Sequence, residues 1–218
     1  MSDISAPSPR RVYCAGPLFN QSERAEMTDI ADQLCAAGYE VYLPHRDGME
    51  FRHVLNELIA RGWPAVTAGQ FLHAAIFALD VYQLVAECGS MVWNLNGRVP
   101  DEGAVSEAAM AWMLGKPLVA YKDDFRSMIT GRDNPLLTGL VDFDLLVDKS
   151  HVTAALARAI DNCHSSPLGL SILPPSVQRA VGQGSLLWTA MQNQSAQGDN
   201  FILADVVAEL FAPPISRE

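Results

Sequence analysis

The chain has 218 residues, 49% of them hydrophobic, enough for one substantial core with room for a small appendage. A formal net charge of −10 and a pI near 4.8 leave no basic face for phosphate backbones, which argues against nucleic-acid binding. Cys14, Cys35, Cys88 and Cys163 lie far apart, with no CxxC pair and no Cys/His cluster, which argues against zinc or a disulfide framework and for reduced thiols in a cytosolic protein.

Residues 1–10 are rich in Ser, Pro and Arg and read as a flexible tail without the apolar core of a signal peptide. No apolar run is expected to reach membrane-spanning length. Arg11 to Ala15 reads as a short buried strand broken by Gly16-Pro17. Ser22 is the expected N-cap of a helix over roughly 23–37, with Met27, Ile30, Ala31, Leu34 and Cys35 at helical spacing and Gly38 in the C-cap glycine position. Tyr39 to Leu43 is a second strand, stopped by Pro44. This strand–helix–strand order predicts a right-handed parallel unit. A helix follows over 50–61, then a break at Gly62-Trp63-Pro64. A long helix covers 68–87, with Phe71, Ala75, Leu79, Tyr82 and Val85 on one face. Ser90 to Leu95 is a third strand, and a Gly/Pro-rich loop leads into a helix that carries Glu107 and ends at Leu114. Leu118–Tyr121 is a fourth strand and Phe143–Val147 a fifth, separated by a polar excursion. A helix over 151–163 closes the domain.

The expected fold class is α/β, a doubly wound (flavodoxin-like or Rossmann-like), mainly parallel five-stranded sheet with helices on both faces. The domain spans 11–163. Residues 164–218, richer in Gln, Ser, Gly and Pro, form a helical C-terminal extension, with helical periodicity over 175–194 and 201–211. By composition this extension is open to reading as a lid, an oligomer arm or a partly ordered appendage.

Ligands of such sheets sit beyond the carboxyl ends of the strands. Three segments are expected there: the loop from Gly16 to Asn20, the end of the long helix, and the stretch from Asn96 to Glu107. The last brings three carboxylates, Asp101, Glu102 and Glu107. Glu107 lies among apolar helix neighbours, so its face should be partly buried, and a buried carboxylate is costly unless paired or used. The helix dipole favours its ionised form, as a nucleophile or general base requires. Taken singly, Asp101 also reads as a turn aspartate, Asp80 as an outer-face residue and Gly16-Pro17 as a plain turn. There is no GxGxxG, GxxxxGK[ST] or GxSxG, and His45, His53, His73, His151 and His164 show no metal spacing.

Several ordered motifs, compatibly spaced over roughly residues 11–150, resemble the nucleoside 2-deoxyribosyltransferase family. They are Val12-Tyr13-Cys14-Ala15-Gly16-Pro17-Leu18-Phe19, then Asp80, then Asn96-Gly97-Arg98-Val99-Pro100-Asp101-Glu102-Gly103-Ala104-Val105-Ser106-Glu107, then Gly115-Lys116-Pro117, then Asp124-Phe125-Arg126 and Asp133-Asn134-Pro135. The resemblance implies double displacement on a 2′-deoxynucleoside. Glu107 is then the nucleophile, Asp80 and Asp101 handle the base, and Tyr13 steadies the nucleophile. Gly16, Pro17, Leu18, Phe19, Gly103 and Arg126 belong to the substrate pocket. Asn134 reaches a neighbouring subunit's site in a homo-oligomer. The implied partners are deoxynucleosides and free nucleobases; no cofactor or metal is expected. Ala104 stands where the family favours threonine, and Ala108-Ala109-Met110 replaces a frequent Ile/Leu-Gly-Tyr. A related N-glycosidase acting on nucleoside 5′-monophosphates, and a non-catalytic nucleotide-binding module, are the competing readings. The first would need a phosphate cradle, for which Ser22, Arg24 and Ser106 are the nearby candidates.

Overall fold

A parallel strand inside a sheet needs both faces covered, so its sequence is apolar without alternation. Arg11-Val-Tyr-Cys-Ala and Ser90-Met-Val-Trp-Asn meet that demand, and in the computed structural model they become adjacent strands β1 (Arg11–Ala15) and β3 (Ser90–Asn94). The structure describes residues 7–124, 133–164, 169–197 and 201–213. With β2 (Glu40–Tyr42), β4 (Leu118–Tyr121) and β5 (Leu145–Leu146) they form a five-stranded, all-parallel sheet in the order β2-β1-β3-β4-β5. This is the flavodoxin-type order of a doubly wound fold, and its winding direction reverses between β1 and β3.

Side chains alternate across a strand. Val12, Cys14, Val92 and Tyr121 therefore share one core with Met27, Ile30 and Leu34 of α1 (Gln21–Ala36) and Val152 and Leu156 of α7 (Val152–Asp161). Tyr13 and Trp93, both fully buried, point to the opposite layer, which holds α5 (Glu102–Met113). Between β2 and β3 lie α2 (Pro44–Asp47), α3 (Phe51–Ala60) and α4 (Ala65–Tyr82), the last continued by a π-helical turn over Gln83–Glu87. After β4 comes the single-turn α6 (Pro135–Thr138), and the chain ends in α8 (Pro175–Gln197) and α9 (Phe201–Phe211).

Several expectations are corrected. The N-cap of α1 is Asn20 rather than Ser22: the Asn20 side chain accepts from Glu23 N while Glu23 accepts from Asn20 N, a reciprocal capping box. Cys35 is exposed and does not belong to the buried stripe of α1. The fifth strand shrinks from 143–147 to two residues because Asp142 and Phe143 sit in left-handed backbone, φ 51° and 64°, which ends any extended run before Leu145. The long helix starts at Ala65, directly after Pro64, whose fixed φ suits a helix entry. The 23 residues Ala65–Glu87 are in fact long and apolar enough to cross a membrane by length and composition. Much of that apolar surface is used in a core: Phe71, Leu72, Ala75 and Leu79 pack with Val54 and Leu58 of α3, Leu187 of α8 and Leu203 and Val207 of α9.

The chain divides into two compact units. One holds 1–47 and 84–172, the sheet with its flanking helices; the other holds 48–83 and 173–218. Composition predicts a domain over 11–163 followed by an extension over 164–218. The contacts group 173–218 with the inserted helices instead, because α8 and α9 complete the core that α3 and α4 begin. Within this helical unit Arg61 bridges Glu57 and Asp205, and Gly184 lets α8 come so close that a Cβ there would lie 2.1 Å from Ala78 O.

Candidate active site

At a topological switch point two neighbouring loops diverge and leave a crevice at the carboxyl ends of their strands. Here the loops are 16–20, after β1, and 95–101, after β3. Gly16 is forced by packing: a Cβ would meet Met27 Sδ at 2.6 Å and Asn94 Cβ at 2.8 Å. Pro17 is buried, Leu18 half-buried and Phe19 exposed. The loop is pinned at its far end by the capping box and by Arg24, whose guanidinium donates to Leu18 O at 3.0 Å. A cleft of about 710 Å³ opens beside it on the α1 side, lined by Pro17, Glu26, Asn96, Asp123, Asp124 and Lys149 among others.

That cleft is strongly acidic. The Lys149 ammonium donates to Asp29 Oδ2 at 2.6 Å; this hydrogen bond holds the Asp29 carboxyl below its usual range and raises Lys149. Burial, then the hydrogen bond with Asp123 and the charge of Glu26, push the Tyr121 phenol above its ordinary range. Among the described residues no group of three or more His, Cys, Asp or Glu could hold a metal ion.

Glu107 is on the other side of the sheet. Ala104, Ala108 and Ala111 form the buried stripe of α5, and Glu107 lies at its edge, half-buried as expected. The Tyr13 hydroxyl donates to Glu107 Oε1 at 2.6 Å, a short bond typical of a carboxylate acceptor. Tyr13 is itself immobilised, 0% exposed, with its ring tilted against Tyr42 at 5.4 Å between centroids. Strand β1 and helix α5 thus deliver a phenol and a carboxylate, remote in sequence, to one point. Asp101 caps α5: its Oδ1 accepts from Ala104 N at 2.6 Å. Gly103 leaves room for that cap, since a Cβ there would stand 3.2 Å from Asp101 Oδ1.

The structure therefore brings Tyr13, Glu107, Asp101, Gly103 and the Gly16–Phe19 loop to the α/β unit's strand ends and the start of α5. Asp80, half-buried on α4, belongs to the helical unit. The long helix ends at the opposite edge from the one expected: Glu87 pairs with Arg11, the first residue of β1, at 2.7 Å. Asn134 is exposed and caps α6 by accepting from Leu136 N at 2.9 Å. Arg126 lies outside the described residues. Of the phosphate-cradle candidates, Arg24 is engaged with Leu18 O and the Ser106 hydroxyl donates to Glu102 O at 2.9 Å.

Asn94, Glu26, Asp123 and the pairing of buried Lys122 with Asp133, which meet at 2.6 Å with side chains 0% and 4% exposed, are not among the residues the sequence singles out for the site. The signal for the first was an Asn-x-Asn pair at a strand exit. For the Lys122–Asp133 pair it was a lysine directly after an apolar strand, where a lone charge needs a buried partner.

No curated protein matches the chain. Among solved structures, a conserved protein from Enterococcus faecalis V583 is similar, with a TM-score of 0.48 and 18% identity over 68% of this chain and 97% of that one. The sequence profile described as nucleoside 2-deoxyribosyltransferase matches residues 12–157, more than half of the chain, including β1 from Val12 onward, the loop from Asn96 and Glu107. The chain belongs to the nucleoside 2-deoxyribosyltransferase family.

Proposed function

We propose that the protein cleaves the N-glycosidic bond of 2′-deoxynucleosides and transfers the sugar to another nucleobase or to water. The observation that carries this reading is the 2.6 Å bond from Tyr13 to Glu107 within the span the family profile covers. By donating to Oε1, the buried Tyr13 phenol fixes the orientation of the Glu107 carboxylate, as an attacking group requires. Glu107 attacks C1′ as the C1′–N bond breaks, and a carboxyl group protonates the departing base. The resulting ester is then opened at C1′ by a nitrogen of the incoming base, which gives up its proton, or by water. Such proton transfer contributes roughly 10²–10⁴-fold. Asp101 supports the base-handling role through Oδ2, because Oδ1 caps α5. Asp80 is proposed for the same role on the family resemblance. Asn134 is proposed on the same ground to serve a neighbouring copy's site; light scattering together with Asn134→Ala activity tests that. No step calls for a cofactor.

The apolar first loop, Pro17-Leu18-Phe19, favours an unphosphorylated substrate over a nucleoside 5′-monophosphate. The test incubates the protein with a panel of deoxynucleosides, free bases and deoxynucleoside monophosphates and separates the products by chromatography. New deoxynucleosides are expected from deoxynucleoside plus base, and none with Glu107→Ala. Base release confined to monophosphates would replace the reading with the hydrolase. Binding without turnover, equal in both proteins, would replace it with a non-catalytic module.

A further inference from the structure

The loop that leads to Glu107 begins at a buried carboxamide whose every hydrogen-bonding position is filled. Asn96 is 8% exposed. Its Nδ2 donates to Asp123 Oδ1 at 2.8 Å and to both oxygens of Glu26 at 3.3 Å. Its Oδ1 accepts the backbone N–H groups of Asp123 and Asp124, each at 3.0 Å. A primary amide offers two N–H groups and two lone pairs, so nothing is left over. The backbone N–H of Asn96 donates to Asn94 Oδ1 at 2.9 Å, and Asn94 Nδ2 donates in turn to Glu26 Oε2 at 2.8 Å. Three chain segments meet at this one side chain: the exit of β3, the first half of α1 and the exit of β4.

The next residue extends the clasp. Gly97 has φ +118°, a conformation L side chains rarely adopt, and its N–H donates to Asp124 Oδ2 at 3.3 Å. Four residues on, Asp101 is fixed as the N-cap of α5. Residues 97–100 are thus held at both ends, and the second anchor starts the helix that carries Glu107. An aspartate at 96 would keep the two acceptor bonds but lose both donors, and would set a third carboxylate beside Glu26 and Asp123. Alanine would leave two backbone amides without their acceptor.

We propose that Asn96 is a positioning residue for the reaction: by clasping the exits of β3 and β4 to α1, it fixes the loop from which α5, and with it Glu107, is aimed at the sugar. The functional half of this proposal rests on the reading of Glu107 as the attacking group; the structural half does not.

The test uses the full chain with Asn96→Ala, Asn96→Asp and Asn96→Asp combined with Glu26→Gln, the last returning one donor to the pair. Hydrogen exchange read by mass spectrometry is expected to run at least about tenfold faster over residues 97–104, with β1 and α7 at wild-type rates. With a deoxynucleoside and an acceptor base, kcat is expected to fall about 10²-fold while KM stays within about threefold, the signature of a misplaced reacting group. The double variant is expected to recover about tenfold in kcat over Asn96→Asp. Loop exchange at wild-type rates in both single variants overturns the clasp. A loosened loop with wild-type kcat overturns the positioning role. If Asn96→Ala does not fold, Asn96→Asp carries both readouts. A wild-type protein that turns over no deoxynucleoside refutes the reading of Glu107, and the exchange data then decide the clasp alone.

Discussion

Gly16 stands where the first strand turns toward the site, and its replacement by alanine has a calculable cost. The new Cβ would lie 2.6 Å from Met27 Sδ and 2.8 Å from Asn94 Cβ, about 1 Å inside the ordinary 3.5–4.0 Å contact distance on both sides. Met27 is fully buried, and Asn94 is held by Glu26 and by Asn96 N, so neither yields freely. Overpacking of this kind costs about 1–3 kcal/mol. Gly69, in the interior of α4, is the internal control: a Cβ there meets nothing within 4 Å. Gly69→Ala should stabilise by up to about 1 kcal/mol, through helix propensity and a less flexible unfolded chain. The assay is urea unfolding followed by near-UV circular dichroism, with fully buried Trp93 reporting on the sheet. Gly16→Ala is also expected to lower kcat/KM, because the displaced Asn94 belongs to the Asn96 clasp. Gly16→Ala unfolding at or above the wild-type urea midpoint would refute the packing argument.

Tyr13→Phe removes a hydrogen bond to a carboxylate, worth about 1.5–3 kcal/mol, and should lower kcat/KM by roughly 10–150-fold with the fold intact; steady-state kinetics within twofold of wild type would contradict this. Burial brings the Lys116 ammonium, which donates to Val85 O and Cys88 O, down to about 8. The folded chain therefore binds this proton more weakly than the unfolded chain, and Lys116 should make stability rise with pH between about 8 and 10.5. The gain is up to about 3 kcal/mol. Urea midpoints of wild type and Lys116→Met across that range should diverge accordingly, and parallel curves would refute the assignment.

The sheet is legible because buried parallel strands are uninterrupted apolar runs between Gly and Pro, and four of the five lie within a residue or two of the runs that predict them. The fifth misled because Phe143 looks like a strand residue while its backbone is left-handed and its side chain exposed. The pairing of Tyr13 with Glu107 became readable once the family motifs fixed both positions; periodicity alone does not join residues 94 apart. The grouping of 173–218 with 48–83 was out of reach, since apolar faces at helical spacing do not name their partners. The polar clasp was equally hidden: the motif shows Asn96-Gly97, but its acceptors on α1 and after β4 are distant in sequence and meet only in the fold.

Glu107 as the covalent nucleophile is tested most directly by rapid acid quench of the protein with a deoxynucleoside, followed by mass spectrometry of its peptides. The expected result is one deoxyribosyl group esterified to Glu107, chased off by added base and missing in Glu107→Gln. Turnover that leaves Glu107 unmodified while the sugar is found on another side chain would contradict it.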